Sequence, residues 1–378
     1  MVYLDNAATS FPKAPGVAQA MADCIDLAAG GPGRSFGDSG AGAARLIFET
    51  RERLARLLDV PDSTDLTLTS GATFSLNLAL YGLLGPGDHV VATALEHNAV
   101  ARPLSHLQSM GVEVTRVPCP DGLSPEPEDF RRALRPETAL IAMVHSSNVT
   151  GAILPLPELA AIAREAGVPL LVDASQTAGS VPISVARDRL PLLAFTGHKG
   201  LLGPPGTGGL YLDPQIDLRP LTRGGTGSQS NSTDQPDARP DRYESGTPNL
   251  PGIAGLGVAA QFLLDRGVAA IRDHEVQLVE QLLGELSRLP GVTVYGPRAA
   301  PERCGLVSFN VGDLDPAEVG GRLEGRYGII TRCGLHCAPW AHESIGTLDR
   351  GAVRVSVSPF TTQADVALAA KAVAEITG

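Results

Sequence analysis

Short apolar runs recur along the first half of the chain, and stretches between them repeat apolar side chains every third or fourth position. The runs at 66–69, 90–92, 113–117, 139–144, 169–172, 192–196 and 209–212 read as β-strands. The stretches at 44–58, 74–83, 127–134 and 156–166 carry helical spacing. Strands that alternate with helices predict an α/β domain, its mainly parallel sheet covered on both faces.

The pattern changes after residue 222. Residues 223–251 are rich in Gly, Ser, Asn, Asp and Pro and read as one long loop. A loop of that length is usually functional or mobile. A helical pattern then runs from Ile271 through Val276, Val279, Leu283 and Leu286 and stops at Pro290-Gly291. Strands at 292–295, 305–311 and 352–357 and a last helix at 364–376 describe a smaller α+β domain. The organisation expected is an N-terminal segment at 1–15 packed with the small domain, a large domain at 16–250 and the small domain at 251–378.

Bulk properties narrow the partners. A chain of 378 residues with 43% hydrophobic side chains has ample core for this plan. The net charge of -11 comes without a basic cluster, which argues against a nucleic-acid partner. The first residues lack a signal-peptide pattern, and no apolar run reaches membrane-spanning length. Five scattered cysteines, at 24, 119, 304, 333 and 337, read as reduced thiols of a cytoplasmic protein. The glycosylation patterns at Asn148 and Asn231 read as chance.

Three segments carry chemistry. Thr196-Gly197-His198-Lys199 ends a predicted strand and leads into a glycine-rich loop, where a lysine can form a Schiff base with an aldehyde cofactor. Asp173 closes an apolar strand at the same edge, where a carboxylate can keep a pyridinium nitrogen protonated. Thr69-Ser70-Gly71-Ala72-Thr73 leads from strand into helix and offers backbone amides to a phosphate. Taken singly, a surface lysine, a turn-capping aspartate and an ordinary helix cap explain each segment as well. Their order, with each at a strand end, points to one cofactor site.

In that order the chain resembles the class V aminotransferases, and within them the cysteine desulfurases and selenocysteine lyases. The resemblance runs from Tyr3-Leu4-Asp5-Asn6-Ala7-Ala8-Thr9 to Val353-Arg354-Val355. It implies fold-type I, with a mostly parallel seven-stranded sheet and a smaller α+β domain. It implies pyridoxal 5'-phosphate on Lys199, with Lys199 also moving the proton between substrate and cofactor. By resemblance Asp173 pairs with the pyridine nitrogen and Gln176 with the phenolic oxygen. His97 stacks on the ring and assists proton transfer. Ala72, Thr73, Thr196 and His198 surround the phosphate. Thr247 reaches the phosphate of a second subunit, which implies a homodimer. Asn148 and Arg354 hold the substrate carboxylate beside the Ala8 backbone. Outside this context, a buried structural His97 and an ion-paired Arg354 are the ordinary readings.

The segment Arg332-Cys333-Gly334-Leu335-His336-Cys337-Ala338-Pro339 looks at first like a metal site, but the chain offers no second ligand pair for zinc. It resembles the active-site loop of group-II desulfurases, which puts the nucleophile at Cys337, near a histidine that activates it. The Pro339…His342 continuation is similar to a desulfurase-like subgroup. The chain departs from the family pattern at Phe74, at Leu190-Pro191 and at Cys333. The expected activity converts L-cysteine to L-alanine and an enzyme persulfide, which passes to a sulfur-acceptor protein. L-selenocysteine is the alternative substrate. A class V aminotransferase and a non-enzymatic sulfur-transfer scaffold are the other readings, and neither calls for Lys199, Asp173 and Cys337 together.

Overall fold

The computed structural model describes residues 1–27 and 38–378. The chain opens with β1 (Val2–Tyr3) and the helices α1 (Val17–Leu27) and α2 (Asp38–Leu58). Next come β2 (Leu66–Thr69), α3 (Ala72–Leu83), β3 (His89–Thr93), α4 (Asn98–Ser109) and β4 (Glu113–Val117). They are followed by α5 (Pro127–Ala133), β5 (Thr138–Val144), α6 (Leu156–Ala166), β6 (Leu170–Asp173), α7 (Val185–Asp188), β7 (Leu192–Thr196) and β8 (Gly208–Leu212). Strands β2 to β8 form one seven-stranded sheet in the order β2-β8-β7-β6-β5-β3-β4. Neighbours run parallel except at β8, which is antiparallel to β2 and to β7. This is the mostly parallel sheet expected from the sequence, with each strand within two residues of its predicted bounds.

The unbroken apolar runs follow from burial on both faces. Val91, Ile141 and Leu193 enter a core on one side of the sheet. Their neighbours Val90, Leu140 and Leu192 enter a second core on the other.

The second half begins with α8 (Leu250–Arg266) and α9 (Val268–Leu286). It continues through β9 (Val292–Tyr295), β10 (Leu306–Val311), α10 (Pro316–Tyr327), β11 (Ile329–Ile330), β12 (Arg332–Gly334), α11 (Pro339–Ser344), β13 (Ala352–Ser356) and α12 (Gln363–Thr377). A four-stranded antiparallel sheet, β12-β13-β10-β9, packs with α9, α10 and α12 over a third core that includes Leu278, Phe309, Val353 and Val373. β1 pairs with β11, and Leu4 enters the same core. The chain's first residues therefore build the second layer.

Helices α1, α4, α7, α8, α10 and α11 were not expected. α4 carries Pro103 in its interior, α10 carries three glycines, and α8 carries Gly252, Gly255 and Gly257. Glycine and proline lower helix propensity, so the pattern read as irregular chain. In α8 the glycines permit close packing. A Cβ at Gly257 would lie 2.4 Å from Thr50 Oγ1, and one at Gly255 2.9 Å from Met21 Cγ. α8 thus sits against α1 and α2, with Leu256 and Leu263 in the core of the large sheet. No single helix among the described residues is long and apolar enough to cross a membrane.

Candidate active site

The parallel strands end at one edge of the large sheet, and ligands bind beyond such an edge. The turn after β2 carries Ser70 and Gly71, and the turn after β3 carries Glu96 and His97. Asn148 follows β5, Asp173 closes β6, and His198 and Lys199 follow β7. A cavity of about 340 Å³ opens at this edge. Lys199, Asp173, His97, Gln176, Thr196 and His198 line it, as do Ala72 and Thr73. Ala8, Asn148, Arg354 and Cys337 complete the expected set. Thr247 alone lies elsewhere, on a neighbouring cavity of about 760 Å³ that shares Ser70, Phe74 and Gly206 with the first.

One end of the cavity suits a phosphate. Gly71 caps α3, and the amides of Ala72 and Thr73 have no acceptor among the described residues. They are the free donors of a helix N-terminus. His198 Nδ1 is buried without a partner. Burial, then the Lys199 charge, pushes the His198 ring down to about 4, so it is neutral at pH 7. Gly208 packs behind Gly71, where a Cβ would lie 2.6 Å from Gly71 Cα and from the Phe195 carbonyl oxygen. An orphaned imidazole and free helix amides fit the phosphate of pyridoxal 5'-phosphate.

The centre suits a pyridine ring and an amine. Asp173 is buried, and its Oδ1 accepts from the Ser175 amide at 2.9 Å. Its Oδ2 has no hydrogen bond to the described residues. Loss of hydration pushes the Lys199 amine down to about 8; Asp173 opposes that fall, while Arg354 and Arg332 add to it. Lys199 is therefore part-neutral near pH 8. His97 Nδ1 accepts from the Ala99 amide at 3.0 Å, which assigns the proton of the neutral ring to Nε2. Burial and then Lys199 hold His97 down at about 4. Beneath it Glu96 is fully buried, and its Oε1 accepts from Thr93 Oγ1 at 2.6 Å and from the Val144 amide at 2.9 Å. Burial raises Glu96 to about 8, so it stays protonated and ties the ends of β3 and β5 together. Gln176 donates to the Ala7 carbonyl at 3.1 Å and holds the N-terminal segment against the cavity.

The far wall comes from the second layer. Arg354 on β13 donates to Asp5 Oδ1 and to the Asn148 carbonyl, both at 2.9 Å. Its Nε is buried without a partner, and so is Asn148 Oδ1. Asn148 Nδ2 donates to the His336 carbonyl at 2.7 Å. An unpaired cationic N–H there suits a substrate carboxylate.

Cys337 is exposed, with a left-handed backbone, and its carbonyl accepts from the Asn98 amide at 2.8 Å. Its sulfur lies 3.7 Å from Arg332 Nη2. The histidine expected to activate it does not do so. The His336 ring is buried, one nitrogen 3.3 Å from His342 Nε2 and the other 3.3 Å from the Arg332 carbonyl. Burial, then Arg354, drives His336 down to about 2. Its nitrogens are spent on holding the loop, and the charged neighbour of the thiol is Arg332.

A model of the aminotransferase class-V family matches residues 2–368. The chain belongs to the class-V aminotransferase family. It is 32% identical to a probable cysteine desulfurase of Methanothermobacter thermautotrophicus, over 100% of this chain and 95% of the relative. It is 35% identical to a probable cysteine desulfurase of Halalkalibacterium halodurans, over 89% and 84%. Its fold superposes on the apo structure of a cysteine desulfurase from Thermococcus onnurineus with a TM-score of 0.94, at 30% identity over 100% of this chain and 94% of that one. The two layers are thus those of fold-type I.

Two residues of this class-V site, Arg332 and Asp5, escaped the sequence reading. Arg332 faces Arg354 across the β12–β13 pair, and Asp5 meets Arg354 from 349 residues away. Only strand pairing and long-range closure bring them together. The one signal in the sequence was their place inside the motifs already quoted.

Proposed function

We propose that this class-V protein is a pyridoxal-phosphate enzyme that converts L-cysteine to L-alanine and keeps the sulfur on Cys337 as a persulfide. One observation carries the reading: Lys199, Asp173, Arg354 and the exposed Cys337 thiol share one cavity of about 340 Å³. The family depends on pyridoxal 5'-phosphate in general, and the free helix amides and His198 Nδ1 support its phosphate here. When bound, the cofactor supplies an electron sink for bonds at the substrate Cα and Cβ.

The chain's own residues do the rest. Lys199, its amine near 8, holds the cofactor and takes the Cα proton. Asp173 would hold the ring nitrogen through its Oδ2, since Oδ1 is taken by Ser175. His97, on the cavity lining, would lie against the cofactor ring and keeps a proton on Nε2. Arg354 Nε and the Asn148 side chain orient the carboxylate beside Ala8. The Cys337 thiolate attacks the substrate sulfur as the Cβ–S bond breaks. Atoms balance: cysteine and the Cys337 thiol become alanine and the Cys337 persulfide, with no outside oxidant. Thr247, outside its own chain's cavity, is assigned to the cofactor phosphate of a second copy, in a homodimer of the cytoplasm.

The test is alanine and persulfide formation from L-cysteine and L-selenocysteine side by side. Alanine without persulfide, or amino transfer to pyruvate, would overturn the reading. The cofactor assignment has a separate readout. The chain holds three lysines, Lys13, Lys199 and Lys371. Borohydride reduction of the yellow protein should fix the cofactor on the Lys199 peptide, and label on Lys13 or Lys371 would refute the assignment.

A further inference from the structure

Cys337 borders two spaces. One is the cavity with Lys199, and the other is a surface groove of about 700 Å³. The floor of the groove is α4, with Asn98, Ala101, Arg102 and Ser105. One side is β4, with Val114 and Arg116, and the other is the loop with Leu335, Pro339 and Trp340. The sulfur atom therefore faces substrate on one side and bulk solvent on the other.

The composition of the groove is unlike that of the molecule. The protein carries a net charge of -11, yet among the described residues the groove lining holds two arginines and no carboxylate. The Arg116 guanidinium lies 4.9 Å over the ring of Trp340, the only tryptophan in the chain, and pairs with Glu343 at 3.1 Å from outside the lining. That contact fixes an aromatic platform beside the thiol. Leu335, 39% exposed, adds an apolar step. Aromatic and arginine side chains of this kind anchor protein interfaces.

We propose that this groove docks the sulfur acceptor, and that the acceptor is a protein segment presenting a thiol flanked by acidic side chains. The inference rests on the desulfurase reading and adds to it the partner's chemistry. Charge complementarity carries it: Arg102, a cation with no ion pair among the described residues, stands on an acidic molecule beside the Arg116–Trp340 platform and next to the one cysteine that opens on both spaces. The transfer balances. The acceptor thiolate attacks the outer sulfur of the Cys337 persulfide, a new S–S bond forms on the acceptor, and the Cys337–sulfur bond breaks. Cys337 leaves as a thiolate and takes up the proton released by the acceptor thiol.

The experiment uses the holoenzyme, L-cysteine and two cysteine peptides of equal length, one flanked by Asp and Glu and one by Lys. Persulfide on each peptide is read by alkylation and mass spectrometry. Trp340 fluorescence reports occupation of the groove, and alanine formation with dithiothreitol reports the first half-reaction. The acidic peptide should accept sulfur about tenfold faster at low salt, shift the Trp340 emission, and lose its advantage in high salt. Arg102→Glu should abolish or invert the preference and leave alanine formation with dithiothreitol unchanged. Equal transfer to both peptides would overturn the proposal, as would an Arg102→Glu variant with the parent preference. Loss of dimer mass in Arg102→Glu would overturn it too, by giving the groove to a second copy of this chain. Absence of alanine in the parent protein with dithiothreitol would instead sink the desulfurase reading, and this proposal with it.

Discussion

Arg354 is 1% exposed, and both terminal nitrogens already have partners in Asp5 and the Asn148 carbonyl. The free Nε, together with whatever protons the terminal nitrogens still hold, must meet the substrate. Arg354→Lys removes the planar fork and should raise the Michaelis constant for cysteine by the equivalent of about 2–5 kcal/mol while the cofactor spectrum persists. An unchanged constant, measured where it reports affinity, would make Arg354 structural. Asp5→Asn leaves Arg354 buried beside Arg332 without its counter-ion. We expect a cost of about 3 kcal/mol, the low end for a broken buried pair because Asp5 is 18% exposed, read as a fall in urea midpoint. At Cys337, the Ser variant should keep the cofactor spectrum and form no persulfide, whereas Cys333→Ser should stay active. Turnover of cysteine by Cys337→Ser at the parent rate would remove the persulfide step. The residues legible in the sequence, Lys199, Asp173 and Cys337, sit in motifs whose chemistry is local. Arg332 and Asp5 were not legible because their role is set by what they face. His336 misled for the same reason, since adjacency in sequence says nothing about where a ring points.

At the scale of elements, the strand ends do the positioning. Six parallel strands bring turns from distant parts of the chain to one edge, and β8 threads between β2 and β7 with Gly208 opposite Thr69 and Thr196. A side chain at Gly208 would strike backbone on both flanks. Gly208→Ala should therefore cost about 1–3 kcal/mol and weaken cofactor retention, measured as the cofactor dissociation constant. An unaltered constant would show that the Gly71 turn at the start of α3 does not depend on that close approach. The β12–β13 pair does the same work for the second layer, setting Arg332 opposite Arg354 and starting the loop that ends in Cys337. The large sheet was readable because unbroken apolar runs have few other homes. The glycine-bearing helices α8 and α10 were not, because their glycines serve packing that is invisible in a single strand of text.

Across the whole molecule, burial of titratable groups sets an acid response. His145, His336 and His342 are buried and held at about 4, about 2 and about 4, chiefly by loss of hydration. Each is neutral when folded and binds a proton when unfolded below about 6.5, so stability falls as pH drops through that window. Glu96 and Glu275, both raised to about 8 by burial, act in the opposite sense between about 4.5 and 8. With His97 and His198, also held at about 4, five histidines stand against two glutamates, so the histidines prevail and stability falls as pH drops between about 6.5 and 4.5. The urea midpoint should fall over that range, and a flat profile would show that these histidines are not held neutral.

The sequence by itself determined the alternation of strand and helix, the seven runs of the large sheet and the motifs for lysine, aspartate and thiol. These follow from local propensity and from side chains whose reactivity is their own. Tertiary structure alone decided that the first residues and β13 would share a core, that Asp5 would meet Arg354, and that Cys337 would stand between a buried cavity and a cationic groove. Those are properties of distance, and distance between remote residues is fixed by packing and strand pairing rather than by any pattern along the chain.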